Sequence, residues 1–551
     1  MAISIHTIGN SFHVFGAFDV KEYLKSLGAR WDSANKSWVL TATPDAARQL
    51  DLAFATMPVN RDVGFYRILA TGSAAAEHKA ADKNAAAAIP YITTSAWAHQ
   101  RQAFWFGATL PAVMLAMDMG TGKSLVAAAI VRHADAQAVL VCGPLSACGV
   151  WAREFSRHLP GQYNVLVLNK GGVAKKLTAA IEHLRLCRAR RERGVIAINY
   201  ESAWREPMAD FLIKAAFDAL IMDESHRLKT HNGRASKFFT KLAAGIPKRL
   251  CLTGTPMPHS PLDIFAQYRA LDPSIFGRVF TAFRLHYAVM GGFNNHEVVR
   301  FKNLDDLHQR YARIAYRITK DEAIELPPRT DTTREFTLSD RALSVYASLE
   351  DHFWAMVEGG EITVANALVE LLRLQQCTSG YVKTDDGIES EVDTGKADLL
   401  DDIIEDYGDF KKHPLVVFSR FHHDLDKVKA LAMLHGLAYG EVSGRQKDLT
   451  PHATIPDGID IMGVQIQSGG VGIDLSRAHT AVYYSIGWSL GDYLQSRDRL
   501  HRPGQVNRVT YIHLIAAGTI DEVQYAALQK RQDLVEGVLA GGRHPQQRAV
   551  A

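Results

Sequence analysis

The sequence predicts an α/β protein built from two parallel-sheet domains in tandem with helical insertions, preceded by a small α+β module. Three observations carry this expectation. Short, almost continuous apolar runs alternate with helical stretches from about Tyr91; a second such series begins after about Lys396; and the first sixty residues instead show alternating strand patterns around an aromatic hairpin. At 551 residues the chain is too long for a single hydrophobic core.

In chain order, residues 1–60 form the small module. "SFHVFG" alternates like a strand, "DVKEYLKSL" has helical spacing, and "GARWDSANKSWVL" reads as a hairpin with Trp31 and Trp38 on its arms. Phe15, Phe18, Trp31 and Trp38 are its expected core. Residues 61–90 are a linker, since the alanine-rich run from Gly72 to Pro90 has little to bury. Residues 91–260 hold the first series of buried strands: "AVMLAM", "AVLVCG", "VIAINY", "ALIMDE" and "RLCLTG". Residues 261–395 read as mostly helical, broken by "MGGFNN" and "ELPPRT". The second series, "PLVVFS", "IDIMGVQ", "AVYYS" and "VTYIHLI", falls in residues 396–540, and 541–551 form a tail.

With 47% hydrophobic and 22% charged residues, the composition excludes a disordered or membrane-embedded chain. No apolar run reaches the length of a membrane span, and the first thirty residues lack the pattern of a signal peptide. The five cysteines are scattered without CxxC spacing, which points away from a disulfide framework or zinc site and toward a reducing, cytoplasmic setting. A net charge of +3 does not by itself mark a nucleic-acid binder, because local clusters decide that.

"AVMLAMDMGTGKSLVAAAIV" orders a strand, a glycine loop and a helix. Amide groups of Gly120, Thr121 and Gly122 at a helix start make an anion nest, Lys123 can reach β and γ phosphates, and the Ser124 hydroxyl can hold Mg2+. Met117 stands where the full phosphate-loop pattern has glycine. "DALIMDESH" ends a second strand in two carboxylates; Asp223 suits Mg2+, and Glu224 can orient and deprotonate an attacking water.

Across about Tyr91 to Glu522 the chain resembles the Swi/Snf-type ATPases, a branch of superfamily-two helicases, with the motifs in the family's order. "HQRQAFWF" is similar to the adenine-reading segment, which assigns Gln100 to the base. "MDMGTGKS" matches the first motif, apart from Met117 in place of an acidic residue. "GPLSACGVWAREF" follows, with Trp151; then "DESH", and "LTGTP" with Thr253, Gly254 and Thr255, which in the family couples ATP to DNA. "VVFSRF", "QSGGVGIDL" (Ser468, Gly469, Gly470, Gly472, Asp474) and "QSRDRLHRPGQ" (from Gln495) complete the set. The resemblance implies two RecA-like domains, ATP and Mg2+ as substrate and cofactor, and movement along double-stranded or forked DNA. The compact layout resembles bacterial or phage members. Protein partners stay unspecified.

The last motif explains three arginines within eleven residues. On a helix Arg499 and Arg502 share a face, so both can project from the second domain toward a γ-phosphate held by the first, as arginine fingers. Arg497 falls on another face, as a surface or salt-bridged residue, and His501 is a structural hydrogen-bonder. The run Arg185–Gly194 is either a solvated face or a DNA contact. "LGARWDSANKSW" (Leu27–Trp38) resembles a HARP-like module, in which Lys21, Lys25, Arg30 and Lys36 beside exposed aromatics would suit branched or single-stranded DNA. Competing functions are a strand-separating helicase, a restriction-type motor subunit and a nucleotide-gated scaffold without turnover.

Overall fold

The computed structural model describes residues 3–9, 11–17, 20–42, 44–54, 59–62, 65, 87–291, 297–358, 364–383, 388–408, 410–450, 453–467 and 472–539. Phe18, most of the alanine-rich linker, Ser468, Gly469, Gly470 and the tail lie outside them.

Five strands make the N-terminal sheet: β1 (Ile3–Ile8), β2 (Ser11–Phe15), β3 (Arg30–Asp32), β4 (Ser37–Thr41) and β5 (Val59–Arg61), in the order β3-β4-β2-β1-β5. The aromatic hairpin is β3 and β4, with Trp31 opposite Trp38. The core differs from expectation. Trp38 is buried among Ile5, Phe12, Val14, Leu40, Leu50 and Phe54, whereas Trp31 is 51% exposed. The reason is sheet order: β3 is the edge, so Trp31 overhangs the core and only its partner reaches it. The two rings meet edge-on at 5.4 Å.

The first large sheet takes β6 (Ala112–Met117), β7 (Ala138–Gly143), β8 (Asn164–Leu168), β9 (Gly194–Asn199), β10 (Ala219–Asp223) and β11 (Lys248–Leu252). A hairpin of β12 (Ala288–Gly291) and β13 (Glu297–Phe301) follows, and β14 (Ala315–Ile318) then returns to the sheet edge. The order is β14-β6-β11-β10-β7-β9-β8, and all pairings are parallel. Residues along β6 alternate between two cores: Ala112, Met114 and Ala116 face one, Val113, Leu115 and Met117 the other. Helices therefore cover both faces, as continuous apolar strands require.

The second large sheet holds β15 (Arg329–Phe336), β18 (Leu415–Ser419), β19 (Tyr439–Val442), β20 (Ile461–Gln465), β21 (Thr480–Tyr483) and β22 (Val509–Ala516), with the small hairpin β16 (Tyr381–Lys383) and β17 (Glu389–Glu391) before β18. Its order is β15-β22-β21-β18-β20-β19, again parallel throughout. Its two faces are likewise both covered, Val416 and Phe418 facing one core and Leu415 and Val417 the other.

The stretch expected to be mostly helical thus also gives one edge strand to each large sheet. β15 is solvent-facing along almost its whole length, so no apolar run announces it. Its eight-residue register with β22 fixes it instead. The last helix, Ile520–Leu539, starts in the second lobe and ends in the first, where Val535, Val538 and Leu539 join the core containing Phe283 and Tyr311.

Candidate nucleotide and coupling site

The end of β6 turns through the glycine loop into the helix Lys123–His133. Gly120 and Gly122 adopt φ of 83° and 89°, a left-handed backbone that favours glycine. A Cβ on Gly122 would lie 2.2 Å from Nε2 of Gln100. Gln100 fills that space: its amide donates to Thr121 O (3.0 Å) and its oxygen accepts from Trp97 N (2.9 Å). It thus braces the loop while also lining the cleft. Thr121 is buried and donates through its hydroxyl to Asp118 O (2.7 Å). Lys123 Nζ donates to Met117 O (2.7 Å) and Asp118 O (3.1 Å).

Asp223 closes β10, two strands from β6. Its Oδ2 accepts from the indole of buried Trp151 (3.0 Å) and its Oδ1 from Glu224 N (3.0 Å). Burial, then the neighbouring Glu224, raises the Asp223 carboxyl above the usual carboxylate range. Glu224 has φ 48° and ψ 50°, a left-handed conformation costly for a residue with a Cβ. Such strain persists where the surroundings fix it, and it turns this carboxylate into the cleft.

From Glu224 a chain of contacts leads away. His226 Nδ1 lies 3.4 Å from Glu224 Oε2 and 3.0 Å from Thr253 Oγ1, which also accepts from Thr255 N (3.0 Å). Burial lowers the His226 pKa. Gly254 lies against the glycine loop, where a Cβ would be 3.4 Å from Met119 N. On the far side, a Cβ on Gly491 of the second lobe would meet Pro258 at 3.5 Å and Thr255 Oγ1 at 3.9 Å. The Thr253–Pro258 segment therefore touches the phosphate loop and the other lobe, and reaches Glu224 through His226.

The helix Leu490–Arg497 ends before the two arginines, a difference from the expected helix. Tighter turns follow, with Arg499 N donating to Ser496 O and Leu500 N to Arg497 O (both 3.2 Å), ahead of Pro503, which cannot continue a helix. Arg499 and Arg502 nonetheless line the same cleft, of about 820 Å³, as Gln100, Gly120, Gly122, Lys123, Ser124, Asp223 and Glu224. Arg499 is buried, and its Nε has no hydrogen-bond partner. Arg502 Nη1 donates to Ile473 O (3.2 Å) and lies 3.8 Å from Asp474. Gln495 and Gly472 line the cleft as well; Asp474 accepts from Ser476 N and Oγ (2.9 and 2.7 Å).

Two neighbours are structural. Arg497 is buried, paired with Asp331 (2.7 Å) and 4.4 Å over the Tyr511 ring. His501 Nε2 is 2.8 Å from Pro327 O. In the basic run, Arg185 pairs with Glu182, Arg188 donates to Ala215 O and Arg193 pairs with Asp135, so these three serve local structure. Sequence reasoning assigned no role to His226, to the indole of Trp151 or to Lys320. For Trp151 a signal was present in its motif; Lys320 gave none.

A phosphate nest, a lysine, a hydroxyl and an acidic pair on one lobe, faced from the other by the Arg499 guanidinium with its Nε free of a hydrogen-bond partner, fit a nucleoside triphosphate with its Mg2+; Ser124 and Asp223 are the groups that would hold the ion. The class is a two-lobed helicase-type nucleoside triphosphatase. Residues 92–380 match the SNF2-related domain and residues 395–504 the helicase conserved C-terminal domain. The chain belongs to the SNF2-related family, superfamily-two ATPases. Among its relatives is the CHD3-type chromatin-remodeling factor CHR7 of Arabidopsis thaliana, 25% identical over 455 residues, 78% of this chain and 36% of that protein. Another is the DNA annealing helicase and endonuclease ZRANB3 of Homo sapiens, 25% identical over 450 residues, 78% of this chain and 39% of that one. The chain thus spans well under two thirds of these relatives. A solved SWI2/SNF2 ATPase core from Sulfolobus solfataricus in complex with dsDNA aligns over 82% of this chain and 94% of its own at 18% identity, TM-score 0.37. No helix among the described residues is long and apolar enough to cross a membrane.

Proposed function

We propose that this chain is a DNA-dependent ATPase that translocates on duplex DNA and remodels forks, annealing strands or bound proteins. The observation that carries this reading is the convergence of Arg499 and Arg502 on the cleft that holds Lys123, Asp223 and Glu224. In this scheme the glycine loop and Lys123 bind the phosphates, while Ser124 and Asp223 hold Mg2+, which neutralises phosphate charge when bound. Glu224 orients the attacking water. Arg499 and Arg502 stabilise charge on the transferred phosphoryl group from the opposite lobe.

Closure around the nucleotide brings the lobes together, and hydrolysis removes the group that holds them. The Thr253–Pro258 segment, in contact with both lobes, transmits the change, and Gln495 beside it senses the same cleft. Ser468, Gly469, Gly470 and Gly472 would let backbone approach a DNA strand. Grip on the phosphate backbone makes travel independent of sequence and sensitive to salt. Support for remodelling comes from the relative ZRANB3, whose name gives DNA annealing.

The N-terminal sheet supplies a HARP-like contact for branched or single-stranded DNA in this reading, with exposed Trp31 flanked by Arg30 and Lys36 on the same hairpin. Trp31→Ala is expected to weaken fork binding while leaving duplex-stimulated hydrolysis in place; equal loss of both would remove that role. The decisive experiment measures ATPase rate with single-stranded, duplex and forked DNA. Duplex or fork stimulation supports translocation and remodelling. Single-strand preference would replace it with strand separation, and turnover unaffected by any DNA would overturn the motor reading.

A further inference from the structure

Lys320 sits where the chain leaves the first sheet. β14 runs beside β6 with Ile318 opposite Met117, and the bonding continues past both strand ends: Asp118 N donates to Ile318 O (3.1 Å), and Lys320 N to Asp118 Oδ2 (2.9 Å). The backbone of Lys320 is therefore fixed to the residue that opens the glycine loop. Its side chain, 2% exposed, crosses to the second lobe. There Nζ is ion-paired with Asp498 and donates to His501 O (2.7 Å).

Those two contacts bracket Arg499, and His501 adjoins Arg502. The lobes also touch just beyond, where a Cβ on Gly120 would be 3.2 Å from Pro503 Cδ. The geometry points to Lys320 as a positioning residue that sets the distance between the arginine-bearing turn and the phosphate loop, so that the guanidinium groups meet a γ-phosphate only when this ammonium bridges the lobes. This rests on the proposed roles of Arg499 and Arg502.

Charge supplies the reason for a lysine there. Asp118 belongs to the first lobe and Asp498 to the second, close enough to matter: burial first, then the Asp498 charge, raises the Asp118 carboxyl, while the Lys320 amide, the Lys123 charge and the Lys320 ammonium oppose that rise. Without that cation, docking of the arginine turn would bring two carboxylates together in a partly buried seam. A neutral side chain would fill the space but leave Lys123, on the first lobe, as the remaining cation offsetting that repulsion. Lys320 touches neither nucleotide-binding group, so it is not a catalytic residue.

The test compares Lys320→Met, Lys320→Arg and Asp498→Asn in the full chain, using steady-state ATPase with duplex DNA, fluorescent-nucleotide binding and thermal unfolding. Lys320→Met is expected to lower kcat about ten- to a hundredfold, the scale of a reacting group misplaced by roughly 1 Å, with KM for ATP, nucleotide affinity and unfolding midpoint near wild type. Lys320→Arg should recover part of the turnover, and the Lys320→Met, Asp498→Asn pair should lose less than the product of the two single effects. Wild-type kcat in Lys320→Met would overturn the inference, as would joint loss of kcat, affinity and thermal midpoint, which marks a structural residue. Should Lys320→Met fail to fold, Asp498→Asn decides, since wild-type kcat there overturns the inference equally. Arg499→Met separates the two readings: if it too keeps wild-type turnover, the proposed ATPase mechanism fails; if it alone is dead, only the role of Lys320 falls.

Discussion

Arg499 and Arg497 lie two residues apart, both buried, and the structure assigns them opposite fates on substitution. Arg497 is matched: it pairs with Asp331 at 2.7 Å, donates to Tyr493 Oη at 3.1 Å and lies over the Tyr511 ring. Arg497→Met loses charge-assisted hydrogen bonds to buried Tyr493 and to partly exposed Asp331, at a cost of about 1.5–3 kcal/mol. Arg499 is not matched. Its Nε is buried without an acceptor, and burial, followed by the nearby Arg502 charge, depresses its pKa, so its charged form is a burden on the folded state. An unsatisfied buried donor costs about 1–3 kcal/mol, and methionine would relieve that cost while keeping the aliphatic stem.

Arg497→Met should therefore lower the unfolding midpoint, and Arg499→Met should leave it equal or raise it. Turnover should show the reverse emphasis. An arginine finger contributes roughly 10³ to 10⁵ in rate, about 4 to 7 kcal/mol of barrier, so Arg499→Met should lose DNA-stimulated hydrolysis by at least the lower figure while still binding nucleotide. Thermal unfolding and single-turnover hydrolysis on the same preparations make the comparison. Early unfolding of Arg499→Met combined with retained turnover would refute the reasoning, since it would make Arg499 a structural ion.

Other outcomes follow from the same geometry. Lys123→Ala should abolish turnover and weaken nucleotide binding, whereas Glu224→Gln should abolish turnover and keep binding; equilibrium binding with a fluorescent analogue separates them. Trp151→Phe removes the indole donor to Asp223 while keeping an aromatic ring in the core, at some cost in packing, so the Mg2+ concentration needed for half-maximal nucleotide binding should rise about tenfold, the effect expected of a lost supporting bond to a metal ligand. Asp424 is fully buried, accepts from Ser485 Oγ and keeps Oδ1 unpaired; burial pushes it up to about 7 from 3.8. The folded state therefore holds a proton that the unfolded chain releases over that window, so this group's contribution falls as pH rises from about 4 through about 7. Asp424→Asn should stabilise the protein by about 1–3 kcal/mol at pH 8 and have little effect near pH 4, where the carboxyl is largely protonated in both states, read by thermal unfolding at both.

Much of this site was legible because phosphate chemistry demands residue types in sequence order. Gly120 to Ser124 must lie between a strand and a helix, and Asp223 with Glu224 at a strand end, so local patterning reveals them. β8, β14, β15 and β19 were not legible. β15 is the plainest case, a polar edge strand held by pairing with β22 and not by an apolar face. Trp31 was misplaced because alternation tells which face a residue takes, not whether the neighbouring strand covers it. The expected helix through Arg499 and Arg502 ended at Arg497 because Pro503 and the contacts to the connector, His501 to Pro327 among them, favour turns.

By itself the sequence determined the two-sheet architecture, the family and the identity of the phosphate-binding and acidic residues, because these follow from short-range patterns and the backbone demands of glycine. Tertiary structure alone decided which groups from distant parts of the chain meet. The approach of Arg499 to Glu224, the Trp151 indole on Asp223, and the bridge from Lys320 to Asp498 depend on how two independently formed sheets are set against each other. That relation comes from a polar edge strand, a connector and one long helix spanning both lobes, none of which carries a periodic signal along the chain.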